Sequence, residues 1–135
     1  MMVYLTKKVH FSASHVLKSA KLTPKENEKT FGKKSSLHGH NYILEVTIQG
    51  KPDERTGLFF DFARLTETIE QKVLSHVNYK HFDETSFFLE GMNPTAENLV
   101  KAFWKNLEPA FPKGTLYEIK LQQADSETVT YRGEA

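Results

Sequence analysis

The 135-residue chain contains no cysteine. That absence excludes a disulfide scaffold, a thiolate zinc cluster and a thiol nucleophile. There is also no apolar run of transmembrane length, and the first residues, MMVYLTKKVHF, lack the charged-then-apolar order of a signal peptide. A cytoplasmic protein with no membrane partner is expected. An excess of one charge is missing too: 18 Lys and Arg face 17 Asp and Glu. No overall field points to nucleic acid. Without repeats or low-complexity tracts, the length suits one domain, residues 1–135, around one core.

What is present is periodicity. From Val3 to His15 the odd positions read Val, Leu, Lys, Val, Phe, Ala, His, a strand alternation interrupted only by Lys7. KSAKLTPKENEKTFGKKSS, rich in Lys and Glu, reads as a long loop. His38, His40, Tyr42, Leu44, Val46 and Ile48 then share one strand face. After the turn chemistry of KPDERTG, Asp61 can cap a helix carrying Phe62, Leu65, Ile69 and Val73. Thr95 can cap a second, with Val100, Phe103, Trp104, Leu107 and Phe111 as its stripe. LYEIKLQQ sets Tyr117, Ile119, Leu121 and Gln123 on one face of a third strand, and a short fourth ends at Tyr131. The order predicts an α+β fold: a four-stranded antiparallel sheet with two helices on one face. Its open edges are ones that association of copies could cover.

Strand geometry makes His38-Gly39-His40 informative. Residues two apart point to the same side, roughly 6.5–7 Å apart, so both imidazoles can lean onto one metal. His15 ends the first strand on the face of Val9, Phe11 and Ala13. In an antiparallel hairpin it would meet the start of the second strand, and three neutral imidazoles would leave a coordination position open, as catalytic zinc requires. Gly39 suits a backbone lying close to a ligand. Two half-buried polar histidines would give the same His-x-His pattern, and His15 in phase is what singles the three out. His10 faces the other way, and His76 and His81 fall near the end of the first helix, where imidazoles complement the dipole.

FSASH, FGK, HGHNY, TGLFFDF, NPTAEN and the terminal YRGE, in that order, resemble the 6-pyruvoyl-tetrahydropterin synthases. They also resemble the bacterial 6-carboxytetrahydropterin synthases of the queuosine pathway. The resemblance implies the tunnelling fold, with subunits associating into barrels as a homohexameric dimer of trimers and active sites at subunit interfaces. It implies Zn²⁺ on His15, His38 and His40, and action on 7,8-dihydroneopterin triphosphate by triphosphate elimination or side-chain rearrangement, the metal polarising side-chain oxygens. Thr95 of NPTAEN is then a candidate substrate-binding residue.

Three positions depart from the family pattern. The proton-transfer cysteine after FGK is Lys34 here. The Asp-His pair becomes Asn78-Tyr79 in VNYKHFD. The carboxylate that grips the pterin, eight residues before Tyr131, is Gln123. Lys34 and Tyr79 are the candidate catalytic residues. A lysine beside Zn²⁺ would hold its proton less tightly and could act as general base; it could equally be a solvated surface lysine. Tyr79 keeps a titratable hydroxyl, or is a packed aromatic. Gln123 offers one acceptor and one donor, which suits a dioxo heterocycle edge better than a 2-amino-4-oxo edge; it could also be a hydrogen-bonded interior amide. Three readings follow: a zinc-dependent pterin lyase with altered acid/base groups, a divergent enzyme on the same scaffold, or a silent zinc- and heterocycle-binding homologue.

Overall fold

The alternation of the first two strands produces one long hairpin. In the computed structural model, which describes residues 1–83, 86 and 88–134, β1 (Val3–His15) pairs antiparallel with β2 (His38–Gly50) along its whole length, from Val3 opposite Gly50 to His15 opposite His38. Phe11, Ala13 and His15 turn inward beside Tyr42, Leu44, Val46 and Ile48, all buried. β4 (Leu116–Ala124) adds antiparallel to β2, and β5 (Glu127–Tyr131) to β4.

A fifth strand, β3 (Lys80–Phe82), lies at the far edge and runs parallel to β1, giving the order β3-β1-β2-β4-β5. The sheet is therefore five-stranded and mixed, where four antiparallel strands were expected. Three residues are too few to show alternation. Side-chain and backbone bonds place the strand instead: Ser12 donates its N–H to Asn78 Oδ1 at 3.1 Å, and Tyr79 N–H donates to the Ser12 carbonyl at 2.6 Å.

The segment read as a loop contains helix α1 (Pro24–Phe31), followed by a 3-10 turn at Gly32–Ser35. No residue of α1 is buried, so no apolar stripe announces it. Its signal is local. Thr23 and Glu26 form a reciprocal capping box, and Pro24 stands at the first helical position.

Asp61 caps α2 (Phe62–Ile69), which continues through a π-turn, Glu70–Leu74, into α3 (Ser75–Val77). Leu65, Ile69, Val73 and Val77 are buried, but Phe62 is 64% exposed at the first helical position. A strict spacing of four overruns an α-helical turn by about 40° per step; the wider π-turn takes out part of that drift and keeps the row on the sheet. Thr95 caps α4 (Ala96–Leu107), whose Leu99, Val100, Phe103 and Leu107 pack on the same core.

The register slips between Thr47 and Ile48, which pair with Glu118 and Leu116. This bulge leaves Tyr117 unpaired and turns it outward, 4.8 Å from the ring of Tyr4, so it does not share the inner face of Ile119 and Leu121. Among the described residues no helix is long and apolar enough to cross a membrane.

Candidate metal centre and the adjoining cavity

Strand phase and register bring His15, His38 and His40 together at the closed end of the hairpin. Their ring centroids lie 4.5–5.1 Å apart, and their candidate ligand nitrogens all fall within 4.8 Å of one another. His15 is fully buried. Its Nδ1–H donates to the Pro94 carbonyl at 2.9 Å, and His38 Nδ1–H donates to the Ser36 carbonyl at 2.7 Å. Carbonyls only accept, so each bond fixes a tautomer whose Nε2 carries a lone pair. The Nε2 atoms of all three histidines are buried without a hydrogen-bond partner.

Electrostatics favours the neutral, ligating form at His15 and His40. Burial pushes the His15 imidazole down to about 4 against the partial opposition of the Pro94 bond, with His38 and His40 adding to the depression. Burial also lowers His40, helped by the charges of His38 and Lys34. Three converging imidazoles with orphaned Nε2 lone pairs, two of them, His15 and His40, biased toward the neutral form, fit a divalent cation with nitrogen preference, zinc foremost. The two carbonyl clamps, Pro94 and Ser36, were not evident in the sequence, because backbone carbonyls leave no residue signature.

A cavity of about 380 Å³ lies between the end of α1 and its following turn, the start of α4, and strands β4 and β5. Lys34, Thr95 and Gln123 line it together, with Phe31, Leu17 and Leu121 as apolar wall. Leu17 N–H donates to the Lys34 carbonyl at 2.8 Å, tying the turn to the end of β1. Thr95 Oγ1 accepts from Asn98 N–H at 3.2 Å, so its proton is free to point toward a ligand. Gln123 Oε1 is buried with no partner, an acceptor in need of an N–H donor.

A family model described as 6-pyruvoyl tetrahydropterin synthase matches residues 4–134. The chain belongs to the 6-pyruvoyl tetrahydropterin synthase family. It is 40% identical over 132 residues to the 6-pyruvoyl tetrahydrobiopterin synthase of Dictyostelium discoideum, spanning 98% of this chain and 97% of the relative. Identity to the Homo sapiens 6-pyruvoyl tetrahydrobiopterin synthase is 35%, over 96% and 91% of the two chains. Among solved structures, Caenorhabditis elegans 6-pyruvoyl tetrahydropterin synthase superposes with a TM-score of 0.92 at 30% identity, covering 99% of this chain and 97% of that one.

Against this pterin synthase frame the departures separate in space. Lys34 and Gln123 meet in the cavity. Asn78 is occupied structurally, capping the Ser12 N–H. Tyr79 is 85% exposed with φ 61°, and lines a different hollow of about 510 Å³ together with His40 of the triad, Ser12, Ser14, Lys80 and His81. Within one chain it does not join the cavity. His81, expected near a helix end, sits on β3 with Nδ1 3.0 Å from Ser14 Oγ. Gly39 is exposed, and a Cβ there would meet the Ala13 carbonyl only at an ordinary 3.5 Å, so close approach does not account for this glycine.

Proposed function

We propose that this chain is a zinc-dependent lyase of the pterin synthase type. Its substrate is 7,8-dihydroneopterin triphosphate or a related dihydropterin, from which it eliminates triphosphate or whose side chain it rearranges. The observation that carries the reading is the triad of orphaned Nε2 atoms, with Lys34, Thr95 and Gln123 gathered in one cavity and Thr95 following the Pro94 that clamps His15. His15, His38 and His40 would hold the metal, which supplies Lewis-acid stabilisation of negative charge on a side-chain oxygen. Gln123 Oε1 accepts an N–H of the heterocycle edge, and Thr95 donates to it. Lys34 takes the proton from the side-chain carbon as general base. The pair freed from that C–H bond becomes the new carbon–carbon double bond, and the C–O pair leaves with triphosphate. Asn78 cannot act as acid or base, so the family's cysteine and Asp-His relay does not operate.

Zinc-loaded protein incubated with dihydroneopterin triphosphate should release triphosphate, with the product seen by chromatography. Lys34→Ala should lower the rate about 10²- to 10⁴-fold; undiminished turnover would remove Lys34 from the base role. Binding without turnover in the wild type would identify the silent homologue instead.

Gln123 favours a second reading. One acceptor beside one donor matches an N–H next to a C=O, as on a lumazine-, urate- or xanthine-like edge. A pterin would leave a donor unpaired at a cost of about 1–3 kcal/mol. If dihydroneopterin triphosphate or sepiapterin binds much more tightly than dioxo heterocycles, this second reading is lost.

A further inference from the structure

The carbonyl that grips His15 comes from a segment without regular structure. Residues 92–95 belong to neither helix nor strand, so no ladder of backbone bonds fixes them. Pro94 has no N–H of its own by which its peptide could be pinned. Its carbonyl nevertheless receives His15 Nδ1–H at 2.9 Å in a buried position. We infer that Asn93 and Asn98 are a positioning pair that aims this carbonyl and thereby sets the affinity of the triad for its metal. The inference rests on the metal reading above and concerns two residues outside the triad.

The two asparagines hold the segment from opposite sides. Asn98 Nδ2 donates to the Asn93 carbonyl at 2.8 Å, and Thr95 N–H donates to the same oxygen at 2.8 Å. Both lone pairs of that carbonyl are then in use, which fixes the peptide plane immediately before Pro94. On the other side, Asn93 Oδ1 accepts the Lys18 N–H at 3.1 Å. The chain just after β1 therefore meets this segment at two points, through the His15 ring and through the Lys18 backbone. The partners dictate how each amide works. A carbonyl only accepts and a backbone N–H only donates, so Asn98 acts through its NH₂ group and Asn93 through its oxygen.

An imidazole whose second nitrogen donates to a fixed carbonyl keeps one tautomer and one orientation, and gains basicity toward a metal. His15 is fully buried, so solvent does not replace a carbonyl that swings away. Thr95, the next residue, lines the substrate cavity, and its Oγ1 accepts the backbone N–H of Asn98 at 3.2 Å. Asn98 thus serves the cap of α4 through its backbone and the His15 clamp through its side chain. Substitution of the side chain separates the two duties.

The same isosteric change at the two positions should give opposite results. Asn98→Asp loses the NH₂ donor and should weaken zinc about tenfold, measured by competition with a chelating dye. Asn93→Asp adds the same charge to the same segment but keeps the oxygen that accepts from Lys18, and should bind zinc like the wild type. Asn93→Leu, which removes that oxygen, should weaken zinc as Asn98→Asp does. Asn98→Ala should show the loss without an added charge, and circular dichroism of the metal-free forms checks that each variant is folded. In the metal-free protein, nitrogen NMR shifts of the His15 ring should show the Nδ1–H tautomer in the wild type and in Asn93→Asp, and its partial loss in Asn98→Asp. Equal zinc affinity of Asn98→Asp and Asn93→Asp overturns the inference, as does a His15 tautomer that ignores Asn98→Asp. A wild type that takes up no zinc removes the metal reading, and with it the effect on affinity; the tautomer measurement then decides the aiming role by itself.

Discussion

His15 shows how one buried side chain ties stability to metal chemistry. Its proton affinity is depressed from the ordinary 6.5 to about 4, chiefly by burial. Below pH 6.5 the unfolded chain takes up a proton there that the fold rejects. The unfolded state thus binds more protons between about pH 6.5 and 4, and the metal-free protein loses stability as pH falls through that window. The loss sums to about 3 kcal/mol. Denaturant titrations of chelator-treated protein at pH 7 and pH 4.5 should show it, and equal midpoints would contradict it. A second residue-scale prediction concerns the metal itself. Dialysed wild-type protein should take up one zinc per chain by elemental analysis, and His40→Ala should take up none. His40, partly exposed, is a cleaner probe than His15, whose truncation would also open a core cavity.

At the scale of elements, local chemistry and tertiary packing divide the work. α1 carries no buried side chain, so its capping box and Pro24 are what place it. That Thr-Pro-x-Glu pattern stands in the sequence, but the apolar period that betrays α2 and α4 is missing, and the segment reads as a loop. β3 has the opposite origin: it is too short for a period, and its pairing with β1 depends on Ser12 contacts 66 residues away in sequence. The bulge that turns Tyr117 outward is likewise a matter of register, which alternation alone cannot reveal. The C-terminal YRGE is held by α4. Gly133 has φ +84°, and a Cβ there would sit 2.7 Å from the Trp104 ring; Tyr131 packs edge-on against the same indole at 5.5 Å. Gly133→Ala should therefore cost about 1–3 kcal/mol, combining backbone strain with overpacking. Thermal melting should fall by several degrees; an unchanged midpoint would mean that the terminus is not locked on the helix.

For the molecule as a whole, the sheet is unfinished. β3 and the residues just before it cover only the Ser12–His15 end of β1, so among the described residues the outer edge of Val3–Phe11 has no neighbouring strand, and β5 forms the opposite edge. Long open edges invite pairing with another copy. Tyr79, thrust outward in the left-handed region, stands on the β3 side of the same surface. Assembly of several copies, the hexamer implied by the family resemblance, would close these edges. Light scattering after size exclusion should give several times the 15.5 kDa chain mass; a monomer at micromolar concentration would contradict this.

The sequence by itself determined the long hairpin, the caps at Asp61 and Thr95, and the shared phase of His15, His38 and His40. Each of these follows from a short-range period or a single side chain bonding to nearby backbone. Only the tertiary structure decided that Lys34, Thr95 and Gln123 share a cavity while Tyr79 lies elsewhere. Those four stand on a turn, a cap, a strand and a positive-φ corner, whose meeting depends on loop paths rather than on period. It also supplied the carbonyls of Pro94 and Ser36, which aim the imidazoles without appearing in any motif. Side-chain phase can be counted along a chain, but the convergence of loops depends on packing between distant segments.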